Sequence, residues 1–113
     1  SREATRSMFS DTHPDAVFVA NDHMALAVMD TLRYELGLKI PDDVSIIGYD
    51  DVPAASWPSY MLTTVQQPVN IMVRETVEIL IEKIDNAHAR PQKIKIDGPL
   101  ILRNSTKTQK GYL

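Results

Sequence analysis

The 113-residue chain has no cysteine and only four glycines. Without cysteine, the chain can form neither a disulfide framework nor a cysteine-based metal site or nucleophile. Four glycines leave no glycine-rich loop of the kind that cradles phosphate groups. No apolar run approaches the roughly 18 residues that span a bilayer, and no basic segment followed by an apolar stretch resembles a secretory leader. We therefore expect a cytoplasmic chain with no membrane partner.

Positive charge is also scarce. The chain has 12 lysines and arginines against 15 acidic residues, which gives a formal net charge of -3 at pH 7. A negative balance provides no electrostatic footprint for a phosphate backbone, so we do not expect this chain itself to bind nucleic acid. The rest of the composition, 43% hydrophobic and 24% charged residues, is typical of one modest α/β domain.

Several short apolar or β-branched runs are predicted to form strands. Residues 16–20 (AVFVA) and 44–49 (VSIIGY) are mostly apolar runs, which are typical of strands covered on both faces. Residues 62–65 (LTTV) have the β-branched composition of a third strand. A bent edge strand is predicted where apolar residues alternate around a Gly-Pro pair, at Ile94, Ile96, Leu100 and Leu102.

Apolar residues at helical spacing predict helices between these strands. The first nine residues read as the last turns of a helix, so we expect the chain to belong to a larger folded unit. A second helix follows the first strand, with Asn21 or Asp22 as its N-cap. Gly37 is expected to end that helix in a left-handed conformation, with Leu38 folding back on its last turn. An apolar stripe over residues 69–87 predicts the longest helix.

This order of elements predicts an α/β fold in which a parallel sheet is flanked by helices, because parallel neighbours need crossover connections. In doubly wound sheets of this kind, the ligand crevice lies outside the carboxyl ends of the strands. The polar residues predicted at those ends are Asn21, Asp22, Asp50, Asp51 and Gln67.

The acidic residues and histidines raise the question of an enzyme. Paired acids such as Asp50 and Asp51 can bind magnesium or share a proton, but neighbours in an extended segment point to opposite sides. His13 and His23 could act as bases. Together with His88, however, they lack metal-ligand spacing, and no HExxH, GxSxG, GxGxxG or P-loop motif is present. We predict no catalytic residue, no metal site and no cofactor.

Four sequence blocks carry a resemblance to a known family. Residues 14–25 read PDAVFVANDHMA, residues 37–51 read GLKIPDDVSIIGYDD, residues 62–68 read LTTVQQP, and residues 102–106 read LRNST. In this order and spacing they resemble the PDAVFxANDxMA, GLxVPxDVSVxGFDD, LTTVxQP and RxST blocks of LacI/GalR transcription regulators. The match covers nearly the whole chain.

The resemblance implies a periplasmic-binding-protein-like type I fold, which is Rossmann-like and has a small-molecule effector in the cleft between two subdomains. Residues 1–113 would form only the C-terminal part of the effector-binding region. Residues 10–67 and 93–106 would lie mainly in the C-terminal subdomain, and the helix at 69–88 in the N-terminal subdomain. Operator DNA would be bound through an N-terminal head outside this chain. One departure is Val73, where many relatives have glycine.

The resemblance also assigns Asn21 and Asp50 to the effector, often a sugar. A carboxylate can accept hydrogen bonds from two neighbouring hydroxyls, and an amide both donates and accepts. The residue types alone favour simpler roles, with Asn21 capping a helix and Asp50 shaping a turn. The resemblance reverses that preference.

Four further polar residues near these strand ends receive weaker assignments. Gln67 and Tyr49 are additional candidates for ligand binding. Asp22 is assigned to helix capping, and Asp51 to structure or to the rim of the cleft.

The resemblance further implies a homodimer. Its contacts would come from the helix after the first block and the loop after the second, at Leu26, Met29, Asp30, Ala54, Trp57 and Pro58. Other apolar positions of the helix suffice for the core, so Leu26 and Met29 are expected to face a partner. Trp57 and Tyr60 could instead stack on a sugar, and Trp57 could simply be a partly exposed hydrophobic anchor.

The expected function is therefore the effector-sensing and dimerisation region of a DNA-binding transcription regulator, in which a small polar ligand modulates operator binding. The alternative is a periplasmic sugar-binding protein or receptor domain, because the same fold serves transport. The four blocks favour the regulator.

Overall fold

The computed structural model of the chain describes residues 1–107. Nine elements follow one another along it. They are helix α1 (Arg2–Asp11), strand β1 (Ala16–Phe18), helix α2 (Asp22–Asp30), a π-helical turn (Thr31–Glu35), strand β2 (Ser45–Asp50), a 3-10 turn (Pro53–Ser56), strand β3 (Thr63–Gln66), helix α3 (Val69–Asp85) and strand β4 (Leu100–Ile101). The strands form one sheet in the order β1-β2-β3-β4.

The first three strands are parallel, as the sequence predicts. Phe18 of β1 pairs with Ile47 of β2, and Asp50 at the end of β2 pairs with Gln66 at the end of β3. Strand β4 is antiparallel to β3. The carboxyl ends of β1, β2 and β3 therefore meet at one edge of the sheet, which positions the polar residues that follow them.

Helix α2 begins as its sequence predicts, and the π-helical turn that continues it ends at the predicted glycine. The Asn21 side chain accepts a hydrogen bond from the Met24 N–H at 2.9 Å and so caps the helix. Gly37 has a φ of 67°, and the Leu38 N–H donates to the Leu32 carbonyl at 2.8 Å. This bond spans one residue more than a Schellman ending, because the last turn is π-helical and its hydrogen bonds span five residues instead of four.

The core lies between α2 and the sheet. Its buried apolar side chains are Val19, Ala25, Val28, Met29, Leu32, Val44, Ile46, Ala55 and Leu62. Burying each of the larger ones contributes roughly 1.5 to 3 kcal/mol to folding. Met29 is fully buried within this set, which corrects the expectation that it faces a partner subunit. The α2 stripe that packs on the sheet is wider than Ala25, Val28 and Leu32 alone.

The opposite face of the sheet is open at two aromatic side chains. Phe18 and Tyr49 are both exposed, although β1 and β2 read as strands covered on both faces. The core layer of α2 lies against the other face. Residues 1–107 therefore leave uncovered the face of the sheet on which Phe18 and Tyr49 lie.

Helix α3 projects from the rest of the molecule. None of its 17 residues is buried, and Ile84 near its end is 73% exposed. The described chain accordingly measures 58 × 34 × 23 Å. The helix ends at Asp85, close to the predicted end, but its apolar stripe is not covered by residues 1–107. Among those residues, no helix is both long and apolar enough to cross a membrane.

The last strand is much shorter than its sequence predicts. Ile94, Ile96 and Leu102 lie outside β4, which contains only Leu100 and Ile101. At Gly98 the chain passes so close to β3 that a Cβ atom would lie 2.0 Å from the Gln66 carbonyl oxygen. This crossing limits pairing with β3 to the residues after it.

Beyond β4, hydrogen bonds of Ser105 to β2 and β3 take the place of further strand pairing. The Ser105 hydroxyl donates to the Ile46 carbonyl at 2.6 Å and accepts from the Thr63 N–H at 2.8 Å. The Ile46 N–H donates to the Ser105 carbonyl at 2.8 Å. Ser105 thus joins β2 and β3 at the edge opposite their carboxyl ends.

Candidate functional site

Asn21, Asp50 and Gln67 lie together at the carboxyl edge of the sheet. The β1-β2 register, continued by three residues beyond Phe18 and Ile47, brings Asn21 level with Asp50. On the other side, the Gln67 side-chain amide donates to Asp50 Oδ1, and the Gln67 N–H donates to the Asp50 carbonyl at 3.3 Å. Three residues predicted to bind a ligand therefore lie at the same edge of the sheet, and two of them are in direct contact.

The Asn21 side chain serves the helix and remains available for a second role. Its amide oxygen accepts from the Met24 N–H, so the predicted role of Asn21 as the cap of α2 is confirmed. Capping uses the oxygen and leaves the amide nitrogen, which can donate two hydrogen bonds. Asn21 is half-buried at the sheet edge. Capping and donation to a ligand are compatible at this position.

Tyr49 is not brought into the same group. Side chains alternate along a strand, and its neighbour Gly48 is buried on the face that packs against α2. Tyr49 therefore points to the opposite, open face and is partly exposed there. The structure separates it from the Asn21 end of α2.

The backbone turns sharply at Asp50 and Asp51. Their φ angles are 125° and 59°, a region that residues other than glycine rarely adopt. Such conformations cost about 1 to 3 kcal/mol each and persist only where the surroundings hold them, often at ligand sites. We call residues 50–51 the corner. The two acidic side chains bind different partners, although the segment is turned at this point and not extended as the sequence prediction assumed.

The Asp51 side chain is part of the structural frame. Its Oδ1 lies 2.7 Å from Arg103 Nη2, and its Oδ2 accepts from the Gln66 side chain at 2.7 Å. Arg103 also donates to the Leu62 carbonyl at 2.9 Å. This network agrees with a structural role for Asp51 and leaves Asp50 as the carboxylate beside Asn21 and Gln67.

Asp22 is fully buried and does not cap α2, which corrects its sequence assignment. It accepts from the Val52 N–H at 2.9 Å and from the Thr64 hydroxyl at 2.6 Å. Asp22 and Arg103 are the two residues near the site whose roles sequence reasoning missed. A glycine inside strand β2 is a sequence signal for the close approach of another group, and a Cβ at Gly48 would lie 2.2 Å from Asp22 Oδ1.

A cleft of about 350 Å³ adjoins the site at Gln67. Its other lining residues are all on α3, at Val69, Met72, Val73, Thr76 and Val77. The cleft joins the polar sheet edge to the exposed apolar stripe of α3. A ligand at the sheet edge would therefore lie next to a surface that residues 1–107 leave open.

Some of the residues predicted to form a dimer interface contact other parts of the fold, and others are exposed. Leu26 packs partly against the core, and Asp30 accepts from the Tyr60 hydroxyl at 3.3 Å. Ala54 is half-buried, whereas Trp57 is 57% exposed and Pro58 is also exposed.

Burial raises the pKa of the Tyr60 phenol, and the nearby Asp30 carboxylate adds to the increase.

Tyr34 is an additional exposed aromatic on the same side of the molecule. It is 80% exposed in the π-helical turn, and its neighbour Arg33 donates to the Ser59 carbonyl at 2.5 Å. That bond holds the π-helical turn against the loop that carries Trp57. Tyr34 and Trp57 therefore lie on adjoining segments.

The histidines form no metal cluster in the described structure. The His13 ring meets the Phe9 ring edge to face, with 5.7 Å between ring centroids. Within residues 1–107, no group of three or more histidine, aspartate or glutamate side chains is arranged to hold a metal ion.

The chain is similar to curated transcriptional repressors. It is 38% identical over 97 residues to the HTH-type transcriptional repressor PurR of Vibrio campbellii, which covers 86% of this chain and 29% of that protein. It is 39% identical over 94 residues to PurR of Vibrio vulnificus, covering 83% of this chain and 28% of that protein. The chain thus spans less than a third of the length of these relatives.

Solved structures with similar folds include transcription regulators. A LacI-type regulator from Bifidobacterium animalis superposes with a TM-score of 0.86 at 33% identity, covering 95% of this chain and 38% of that one. The regulator CelR in complex with cellobiose gives 0.84 at 33%, covering 92% and 32%. A LacI-family regulator from Enterococcus faecium with bound ribose gives 0.82 at 28%, covering 96% and 40%.

The family of periplasmic binding protein-like domains matches residues 1–106, almost the whole chain. Two of these solved structures, each covering at least 95% of the chain, carry the same fold in LacI-type regulators. The chain therefore belongs to the periplasmic binding protein-like domain family, in the form that this domain takes in LacI-type transcription regulators.

Proposed function

We propose that this chain is the effector-sensing and dimerisation region of a LacI-type DNA-binding transcription regulator. Its ligand is a small polar molecule, a sugar or sugar derivative, held by Asn21, Asp50 and Gln67. The observation that carries the proposal is that all three residues follow strand ends at the carboxyl edge of the sheet, where Gln67 binds Asp50. The edge where parallel strands end is where open α/β sheets bind their ligands.

The chemistry of these groups suits a polyol. The Asp50 carboxylate can accept hydrogen bonds from two adjacent hydroxyls, while the amides of Asn21 and Gln67 can donate to hydroxyl oxygens. Gln67 now donates to Asp50, so a ligand would compete with an existing bond. The sugars bound by the similar regulators, cellobiose and ribose, support this ligand class.

The rival function, a periplasmic sugar-binding protein, uses the same fold. The relatives named above favour a regulator, since they are transcriptional repressors. On this proposal the protein works in the cytoplasm, and operator DNA is bound by another part of the longer protein. The net charge of -3 supports that division, because this chain offers no excess positive charge to phosphate. The chain has no enzymatic role.

We further propose that α3 packs in the longer protein against the first subdomain of the effector-binding region. All of its residues are at least partly exposed, including the stripe that lines the cleft beside Gln67. The sheet edge would then be one wall of the ligand cleft, and the first subdomain the other.

The proposed homodimer uses the exposed surface around Trp57. Trp57 and Pro58 lie next to the π-helical turn with Tyr34, and the Arg33 and Tyr60 hydrogen bonds hold the two segments together. Two exposed aromatic side chains on adjoining segments are typical of interface centres.

The ligand site is tested by calorimetric titration of ribose, lactose and cellobiose into the longer protein. Asn21→Ser retains the helix cap but removes the amide, and Asp50→Asn keeps the shape but removes the charge. Each should weaken binding about 5-fold to 150-fold, the range that corresponds to losing roughly 1 to 3 kcal/mol of hydrogen bonding.

Asp97→Asn is the matched control, because it makes the same change at an exposed carboxylate. It should leave the affinity unchanged. Unaltered affinity in both site variants would remove the assignment of the site. Tight binding of a nucleobase with no binding of any sugar would contradict the ligand class, since amide and carboxylate groups also match the edges of bases.

A further inference from the structure

The Asp22 side chain joins three parts of the fold beneath the proposed ligand site. It is fully buried at the start of α2. Its Oδ2 accepts from the Val52 N–H at 2.9 Å, and its Oδ1 accepts from the Thr64 hydroxyl at 2.6 Å. One carboxylate therefore connects α2 with the loop after β2 and with the middle of β3.

The bond to Val52 acts directly on the corner. Asp50 and Asp51 have φ angles of 125° and 59°, and Val52 is the first residue after them with ordinary extended backbone angles, φ -66° and ψ 154°. Left-handed angles at two successive non-glycine residues need support from their surroundings. Asp22 supplies that support at the Val52 end of the corner.

A second support acts on the corner from another direction. The Arg103 and Gln66 side chains both bind the Asp51 carboxylate. With Asp51 and the Val52 N–H both held, the side chain of the corner that is left to meet a ligand is that of Asp50, which accepts from the Gln67 side chain. The direction of the Asp50 side chain therefore depends on the contacts that hold Asp51 and Val52, in addition to its own bond with Gln67.

The sheet is built to admit the Asp22 carboxylate. A Cβ atom at Gly48 would lie 2.2 Å from Asp22 Oδ1 and 3.0 Å from Leu62 Cδ2. Glycine within a strand often marks such a close approach. Gly48 is thus required at this position by the carboxylate above it.

We propose that Asp22 is a positioning residue for ligand recognition, which fixes the corner through the Val52 N–H so that the Asp50 carboxylate faces the ligand. Because its side chain is fully buried, Asp22 acts without touching the ligand. This inference rests on the proposed function, since it takes Asp50 as the ligand-binding carboxylate.

Two variants of the longer protein that each disturb the same buried cluster test this role. Thr64→Val deletes the hydroxyl that Asp22 accepts from and leaves the Val52 bond in place. Asp22→Asn removes the negative charge that strengthens the bond from the Val52 N–H, and it replaces one acceptor oxygen by an amide nitrogen that only donates. Both should lower the midpoint of urea unfolding. Only Asp22→Asn should weaken binding of the tightest sugar among ribose, lactose and cellobiose, by at least about tenfold in calorimetry.

A double-variant cycle distinguishes positioning from a merely structural effect. If Asp22 acts through Asp50, then Asp22→Asn should weaken binding by no more than about twofold when Asp50→Asn is already present. Additive losses in the two backgrounds would overturn the proposal. So would an Asp22→Asn protein that binds the sugar as tightly as the unaltered protein.

If Asp22→Asn fails to fold by circular dichroism, hydrogen exchange in the unaltered protein provides the test. Saturating sugar should slow exchange of the Val52 amide at least about tenfold more than that of the Ile46 amide, which donates to Ser105 at the other end of the sheet. Equal slowing at the two amides would overturn the positioning role.

Failure of the proposed function gives a different result. If the unaltered protein binds none of the three sugars, or if Asp50→Asn binds them normally, then the proposed site and the positioning role both fall. Loss of binding in Asp50→Asn with normal binding in Asp22→Asn removes only the positioning role.

Discussion

Arg103 Nη2 lies 2.7 Å from Asp51 Oδ1, and the two side chains are only 14% and 11% exposed. The pair connects the segment after β4 to the corner at the end of β2. Arg103 also donates to the Leu62 carbonyl, so its guanidinium is held on two sides. A charged pair this well shielded behaves differently from a surface ion pair, because removing one partner leaves the other charge without compensation.

Arg103→Met should therefore destabilise the fold by about 1.5 to 3 kcal/mol, the usual loss for a hydrogen bond to a charged group. Urea unfolding measures the change. Arg6→Met is the control, because Arg6 also binds a carboxylate, that of Glu35, but both side chains are well exposed to solvent. Its effect should be much smaller.

The double variant Arg103→Met with Asp51→Asn checks the cause of this loss. Removing the charge of Asp51 as well should recover part of the lost stability, because no uncompensated carboxylate then remains. If the two losses simply add, the ion pair is not what holds the corner.

At Gly37 asparagine should be tolerated better than alanine, whereas at Gly48 it should be tolerated worse. Gly37→Ala meets no atom within 4 Å but must adopt a φ of 67°, which costs about 1 kcal/mol, and Gly37→Asn should cost less because asparagine tolerates that conformation. Gly48→Ala places a Cβ 2.2 Å from Asp22 Oδ1 and should cost about 1 to 3 kcal/mol.

Gly48→Asn should be worse still, because the larger side chain deepens the clash. Unfolding midpoints of the four variants check this pattern. Asparagine that is tolerated better than alanine at position 48 would contradict the view that the glycine makes room for a carboxylate.

Much of the fold follows from local features of the sequence. The parallel strands follow from short apolar runs, and the end of α2 follows from Gly37 and Leu38. The length and direction of β4 could not be predicted in this way. They depend on the close passage of Gly98 over the Gln66 carbonyl, which no periodicity reveals.

The candidate site shows the same division. Asn21 and Asp50 could be placed at one edge, because the ends of parallel strands meet there. The roles of Asp22 and Arg103 could not be predicted, since each depends on a partner that is distant in the chain. Asp22 binds the backbone 30 residues away, and Arg103 binds a carboxylate 52 residues away.

The fold should lose stability at alkaline pH through Tyr60. Burial raises the pKa of its phenol above the ordinary value of 10.0, with Asp30 adding to the increase. The folded state therefore holds this proton more tightly than the unfolded state. The resulting contribution to stability is fully present below about pH 10 and is lost as the pH rises through the higher folded-state pKa.

Ultraviolet titration of phenolate formation should show a late component from Tyr60 in the folded protein. Tyr60→Phe should remove this late component, whereas Tyr49→Phe, which deletes a partly exposed phenol that does not affect Tyr60, should leave it in place. If all the phenols of the folded protein ionise together, burial does not protect Tyr60.

The proposed dimer should depend on Trp57 and not on α3. Both are exposed, so composition alone does not choose between them: Trp57 is 57% exposed beside the π-helical turn, and Leu80 is exposed on the α3 stripe. On the proposed function, α3 has another partner in the longer protein, which leaves the Trp57 surface for the second subunit. Light scattering on the longer protein should give a dimer at about 100 μM, where a standard interface is populated.

Trp57→Ala should then weaken this dimer by at least about 30-fold in its dissociation constant, the effect expected when a central aromatic residue is truncated. Leu80→Glu is the matched comparison, because it changes the other exposed apolar surface and should leave the constant unchanged. A strict monomer at that concentration would remove the dimer from the proposal. Dissociation by Leu80→Glu alone would instead place the interface on α3, since a buried glutamate without a partner opposes association there.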